Sequence, residues 1–212
     1  MIKVLLLDDH AVVRAGYRRW IDETPDLRVV AEAATSAQAC EAVRDQSIDV
    51  AVVDLALRED SGLEVIRRIR ARSPRTRMLV FTMFDHAAHA LQALRLGAHG
   101  YLTKDHEPQA VLQALRQIAA GGRVFSPAVL QSWANDSAGQ GLNPLSVLTP
   151  REFEVLRLAT DGLATRTIAD ALHVSEKTVH NTLSLVRQKL NTRSDFALMR
   201  LVAEHGLVPP QG

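Results

Sequence analysis

In residues 1–121, short apolar runs rich in Val, Ile and Leu alternate with longer stretches whose apolar side chains recur every three to four positions. That alternation admits few folds. The runs cover residues 2–7, 28–33, 48–54, 78–82 and 100–102, and the helical spacings cover 11–22, 37–46, 62–72, 86–96 and 107–120. Strands as uniformly apolar as Val50-Ala51-Val52-Val53 belong in a parallel sheet covered on both faces, because a strand with one wet face alternates polar and apolar residues. Crossovers of this length carry their helices right-handedly onto those faces. The expected fold of this region is a five-stranded, doubly wound α/β sheet of the flavodoxin-like kind. Local punctuation agrees: Ser61-Gly62-Leu63-Glu64 has capping-box spacing at the start of the third helix, and Gly121-Gly122 is suited to end the fifth.

Residues 122–147 hold one Arg and one Asp as their only charges, and Gly139, Gly141, Asn143 and Pro144 crowd the second half. This reads as a linker in which Ser126-Pro127 can start a short helix over about 127–135. Beyond it, Thr149-Pro150-Arg151-Glu152 combines a capping box with Pro at the first helical position, opening a small all-α domain over 148–212. Helical spacing fills 150–160, 165–172, 176–190 and 194–205, separated by Gly162, by His173-Val174-Ser175 and by residues 191–194.

The formal net charge is +1, and residues 148–212 carry 8 basic against 7 acidic side chains. Bulk charge therefore does not announce a nucleic-acid partner; only its distribution could. No run of about 18 uncharged apolar residues occurs, and the first residues lead straight into a strand-like run, so neither a membrane span nor a signal peptide is expected. A single cysteine, Cys40, excludes an intrachain disulfide and argues against a structural zinc site, which suits a reducing cytoplasm.

Open parallel sheets bind ligands beyond the carboxyl ends of their strands. Asp8 and Asp9 end the first run, Asp54 ends the third, Thr82 ends the fourth and Lys104 follows the fifth. A lone Asp at a strand end is most often a helix cap, but this set converges on one crevice. Three carboxylates there repel one another unless cations sit among them, and a hard divalent ion such as Mg2+ with the Lys104 ammonium satisfies that need. A carboxylate so placed can attack a phosphoryl group, with Thr82 hydrogen-bonding a transferring oxygen. Tyr101, by itself, reads as a half-buried strand aromatic. A Mg2+-dependent phosphohydrolase is the enzymatic alternative, but no second general acid or substrate-pocket signature accompanies the acids, so no enzyme is expected. Flavin binding is weaker still, since three acids would repel the flavin phosphate.

In the second domain, residues 165–172, the turn 173–175 and the helix from Glu176 have helix-turn-helix spacing. Leu172, Val174 and Val179 would face the core, with Lys177, Thr178, His180, Asn181, Ser184, Arg187 and Lys189 outward. Lys and Arg can neutralise phosphates while Asn and Ser suit base edges; a solvated bundle face is the plain alternative.

Two stretches carry a resemblance. Leu7-Asp8-Asp9-His10, Val53-Asp54-Leu55, Ser61-Gly62-Leu63-Glu64, Phe81-Thr82 and Gly97-Ala98-His99-Gly100-Tyr101-Leu102-Thr103-Lys104 resemble a response-regulator receiver domain. Thr149-Pro150-Arg151-Glu152-Phe153-Glu154-Val155-Leu156, Ile168-Ala169, Val174-Ser175-Glu176-Lys177-Thr178-Val179 and Lys189-Leu190 resemble the LuxR-type helix-turn-helix of the NarL/FixJ subfamily. The resemblance implies that Asp54 accepts a phosphoryl group from a sensor histidine kinase. It further implies that Asp9, Asp54 and the Ala56 carbonyl bind Mg2+, with Asp8 acting through a water. Thr82 and Lys104 would contact the phosphoryl group, and Thr82 with Tyr101 would form a switch pair. His180, Asn181 and Ser184 would face bases of double-stranded DNA, with Lys177, Thr178 and Lys189 on its phosphates. The last helix would form a homodimer on an inverted-repeat site. The chain departs from the common pattern at Leu57-Arg58 and Glu59-Asp60, and at His180, Thr182 and Ser184, where basic residues or His are usual. A receiver controlled by a ligand or protein partner without phosphorylation is the rival this leaves.

Overall fold

The computed structural model describes residues 1–57, 61–84, 87–137, 144–192 and 194–205. Strands β1 (Ile2–Leu7), β2 (Leu27–Ala33), β3 (Val50–Val53), β4 (Arg77–Thr82) and β5 (Gly100–Thr103) pair in parallel in the order β2-β1-β3-β4-β5. That order reverses direction at β1, which is the flavodoxin-like doubly wound arrangement, with its ligand crevice at the β1/β3 switch point. The intervening helices are α1 (Ala11–Asp22), α2 (Ser36–Asp45), α3 (Gly62–Arg72), α4 (Ala87–Leu96) and α5 (Pro108–Ala119). All four residues of β3 and the last four of β1 are buried, as strands covered on both faces must be.

On one face of the sheet, Val4, Leu6, Val50, Val52, Leu79 and Phe81 form a core with Ile21 of α1 and Val111, Leu115 and Ile118 of α5. The Tyr17 ring meets Phe81 edge-on at 4.7 Å between centroids. Gly121, with φ of 102°, ends α5 in a conformation that costs other residues dearly.

Ser61 does precede α3, but its side chain makes no cap hydrogen bond, so the capping-box expectation fails there. Glu64, the other half of that box, is taken instead by Arg67 and Arg68, one turn ahead of it on the same helix (Arg67 Nε 2.9 Å, Arg68 Nε 3.2 Å).

Chain beyond α5 forms α6 (Pro127–Ser137), a short 3-10 turn (Pro144–Val147), α7 (Pro150–Thr160), α8 (Thr165–Ala171), α9 (Glu176–Lys189) and α10 (Asp195–Glu204). Residues cluster into two compact units, Met1–Asp85 with Ala93–Pro127, and His86–Gln92 with Ala128–Gly212. Gly139, Gly141 and Asn143 lie outside the described residues. Around Thr149 the capping box is complete: Glu152 N donates to Thr149 Oγ1 and Thr149 N donates to Glu152 Oε2. The helical core of this unit is Val155, Leu158, Ile168, Ala169 and Val179, with Leu172, Val174 and Leu183 packed on it. His173 (φ 50°) and Asn191 (φ 51°) take left-handed conformations where α8 and α9 end, and the sharp turn at His173 is what brings α8 and α9 together.

Candidate functional site

Strand ends place the crevice. Asp8 follows β1, Asp54 follows β3, Thr82 ends β4, and Lys104 follows β5, its N–H donating to the Thr82 carbonyl at 2.8 Å. Asp8, Asp54 and Thr82 are buried. The Lys104 ammonium bridges two carboxylates, at 2.5 Å from Asp8 Oδ2 and 2.7 Å from Asp54 Oδ2. Burial pushes this ammonium down, but hydrogen bonds and charge from Asp54 and Asp8 more than offset it and hold it above the ordinary lysine value.

Each carboxylate is also steered by backbone. Asp54 Oδ1 accepts from Ala56 N at 3.1 Å, and Asp8 Oδ1 accepts from His10 N at 2.7 Å. Asp8, Asp9 and Asp54 therefore come together with ligand oxygens in one small region: one oxygen of each and a His10 ring nitrogen all lie within 4.8 Å of one another. Three carboxylates at a strand-end crevice are a donor set for a hard divalent cation. The Thr82 hydroxyl is buried and has no hydrogen-bond partner among the described residues. Buried hydroxyls are nearly always satisfied, so this one is suited to a group that enters the crevice. The Tyr101 hydroxyl donates to the Phe84 carbonyl at 2.8 Å, tying β5 to the segment after β4. Arg58, Glu59 and Asp60 lie outside the described residues.

Two residues here were not singled out from sequence. His10 Nδ1 stands 2.9 Å from Asp9 Oδ1, and its only signal was its place directly after the acid pair. Gly62 closes the loop after Asp54: a Cβ there would lie 2.3 Å from the Asp54 carbonyl oxygen and 2.5 Å from Leu55 Cα. The glycine is what lets the start of α3 lie against the backbone of Asp54.

In the second unit α9 buries Val179 and Val186 and exposes Lys177, Thr178, His180, Asn181, Ser184 and Lys189 of the set expected from sequence to face outward, while Arg187, also of that set, is half-buried. Side-chain bonds already order part of this face. His180 Nδ1 sits 3.0 Å from the Glu176 carbonyl, and Thr178 Oγ1 lies 2.9 Å from Ser175 Oγ at the helix cap. Lys189 is half committed, its Nζ 2.7 Å from Glu152 Oε2, while Arg187 Nη1 lies 2.5 Å from Asp195 Oδ1. Burial raises the Glu152 carboxyl, but the Lys189 ammonium and the Thr149 N–H outweigh it and hold the group below the usual glutamate value.

Comparison with known proteins matches residues 4–116 to "Response regulator receiver domain" and residues 146–202 to "Bacterial regulatory proteins, luxR family". The chain belongs to the response regulators. Its relatives place it in the NarL/FixJ subfamily. The nitrate/nitrite response regulator protein NarP of Escherichia coli (strain K12) is 35% identical over 196 residues, 92% of this chain and 91% of that one. NarL of the same strain is 36% identical over 200 residues, 92% of this chain and 93% of NarL. Among solved structures, RcsB from Salmonella enterica serovar Typhimurium, bound to promoter rprA in the presence of the phosphomimetic BeF3-, superimposes with a TM-score of 0.64 at 25% identity, covering 95% of this chain and 98% of that one. This response regulator is thus a two-component, DNA-binding transcription regulator, with an acidic crevice in its receiver and a LuxR-type helical unit after it. Among the described residues no helix is long and apolar enough to cross a membrane.

Proposed function

We propose that Asp54 accepts a phosphoryl group from a sensor histidine kinase and that this controls dimerisation and DNA binding, with no turnover of a small-molecule substrate. The observation that carries the reading is the Lys104 ammonium shared between Asp8 and Asp54 beside the unpartnered Thr82 hydroxyl. In the transfer, an Asp54 carboxylate oxygen bonds to phosphorus as the P–N bond to the donor imidazole breaks, and that imidazole leaves with a proton. Lys104, released from Asp54 Oδ2, follows the negative charge onto a phosphoryl oxygen, and the Thr82 hydroxyl donates to another. Asp9, Asp54 and the Ala56 carbonyl, with Asp8 through a water, would hold Mg2+. The ion supplies charge neutralisation on the transferring oxygens. Recruitment of Thr82 toward the phosphoryl group leaves room beside it, and Tyr101 gives up its bond to Phe84 to follow, which makes the pair a switch.

On the output side, His180, Asn181 and Ser184 face base edges in the major groove, and Lys177, Thr178 and Lys189 face phosphates. Dimerisation falls to α10, where Leu198 and Val202 are buried while Phe196 is 78% and Met199 38% exposed, one turn apart on the outer side. An isologous pair of such faces would read an inverted repeat. The solved RcsB complexes, one of them two dimers on two parallel DNAs, support this mode by similarity.

The test is mass in solution and DNA binding with and without beryllofluoride and Mg2+, for the chain and for Asp54→Asn. The mimic is expected to drive dimerisation and tighter binding only where Asp54 is present. Equal binding in every state would transfer control to a ligand or protein partner.

A further inference from the structure

We infer that Leu185 is a base-reading residue that packs on the C5-methyl group of a thymine. The inference rests on α9 entering the major groove. Leu185 is 49% exposed on a helix whose packing is met by other residues: Val179 and Val186 are fully buried, and Leu183 lies against the helical core. It is the exposed leucine of α9, and its neighbours one turn away, Asn181, Gln188 and Lys189, are exposed and polar or charged, as is Ser184 beside it. An apolar side chain that the fold does not use gains nothing from water. Among the edges a major groove presents, the thymine methyl is the one apolar target; A·T and T·A pairs display it on opposite strands, and G·C and C·G pairs lack it.

Spacing supports the assignment. Leu185 lies four residues after Asn181 on the same helical row, so it sits about 6 Å further along the axis, roughly two base steps at 3.4 Å each. Asn181 is suited to an adenine edge and Leu185 to a thymine one or two pairs on. The other polar groups of the face do not supply that second preference: Ser184 is tolerant of any base, His180 lies five residues before Leu185 on the other side of Asn181, and Lys177 and Lys189 face phosphates.

The experiment uses the full chain treated with beryllofluoride and Mg2+, and duplexes enriched from a random pool by binding to it. Each thymine of the recovered sequence is replaced in turn by uracil, which removes the methyl group and nothing else. One position per half-site is expected to weaken wild-type binding about fourfold when the methyl is lost. Leu185→Ala and Leu185→Asn should be indifferent to that replacement while melting at the wild-type temperature, because the side chain is exposed. The inference is overturned if uracil weakens wild type and Leu185→Ala equally at every position, or if no thymine matters to wild type. A recovered duplex whose binding falls with Asn181→Ala but ignores every methyl sinks the role of Leu185 and leaves α9 in the groove. A pool from which nothing is enriched sinks both.

Discussion

Lys104 is the residue on which the receiver's charge balance turns. Its ammonium is the cation shared by Asp8 and Asp54, both nearly out of water. Replacing it with Met leaves two buried carboxylates uncompensated, which costs about 3 kcal/mol. Lys104→Met is therefore expected to unfold at lower urea at pH 7 without Mg2+, and millimolar Mg2+ should recover more stability in the variant than in the wild type. The pH dependence has a definite sign. Since the folded ammonium is held above its ordinary value, the pair's contribution is complete below about pH 10.4 and fades only as the pH rises through the folded value. An urea midpoint for Lys104→Met that matches wild type at pH 7 would remove the ion pair from any structural role. Gly62 tests the same crevice from its backbone side. An alanine methyl would meet the Asp54 carbonyl and Leu55 Cα, neither of which can swing aside. Gly62→Ala is expected to lose about 1–3 kcal/mol and to take up phosphate from a small donor more slowly. Unchanged uptake would show that the loop adapts.

Elements divide the chain into what one-dimensional reading could and could not reach. Inner parallel strands announce themselves by continuous apolarity, as β1 and β3 do, while the edge strand β2 carries exposed Arg28 and Glu32; all five were legible to within two residues at each end, and the acids at the ends of β1 and β3 followed from topology. Capping is different, because its residues have competitors. Thr149 and Glu152 form their box, whereas Ser61 and Glu64 have identical spacing and do not, since Arg67 and Arg68 hold Glu64. The engagement of Lys189 by Glu152 spans 37 positions, and no local pattern encodes it. Glu152 thus serves α7 twice, as cap and as partner to the end of α9. Thr149→Ala is expected to cost about 1 kcal/mol in the stability of the helical unit, read from the urea midpoint. Glu152→Gln should cost a similar amount at pH 7. Because the native carboxyl is held below its ordinary value, that contribution is present above about pH 4.3 and is lost as the pH falls through the folded value. The gap between Glu152→Gln and wild type should close in acid; a gap constant from pH 7 to pH 3 would mean the carboxylate charge does not matter.

At the scale of the molecule, a net charge of +1 gives DNA little long-range reason to approach. The 8 bases and 7 acids of residues 148–212 nearly cancel, and two cations of α9, Arg187 and Lys189, are already shared with Asp195 and Glu152. Each must leave, or share, an acid before it can neutralise a phosphate. Of the basic residues on α9, Lys177 is the one with no ion pair among the described residues. A pair of protomers therefore brings about two to six cations to the backbone, and log K should fall against log salt with a slope of about −2 to −5. Raising salt from about 50 to 200 mM would then weaken binding about 10- to 1000-fold. The slope is measurable by fluorescence anisotropy on the enriched duplex, and Lys177→Ala should flatten it by about 0.9 per protomer. Arg187→Ala should change it less, because the guanidinium is held by Asp195. A slope steeper than about −7 would place cations outside α9 on the phosphates, and the recognition helix would then account for only part of the interface.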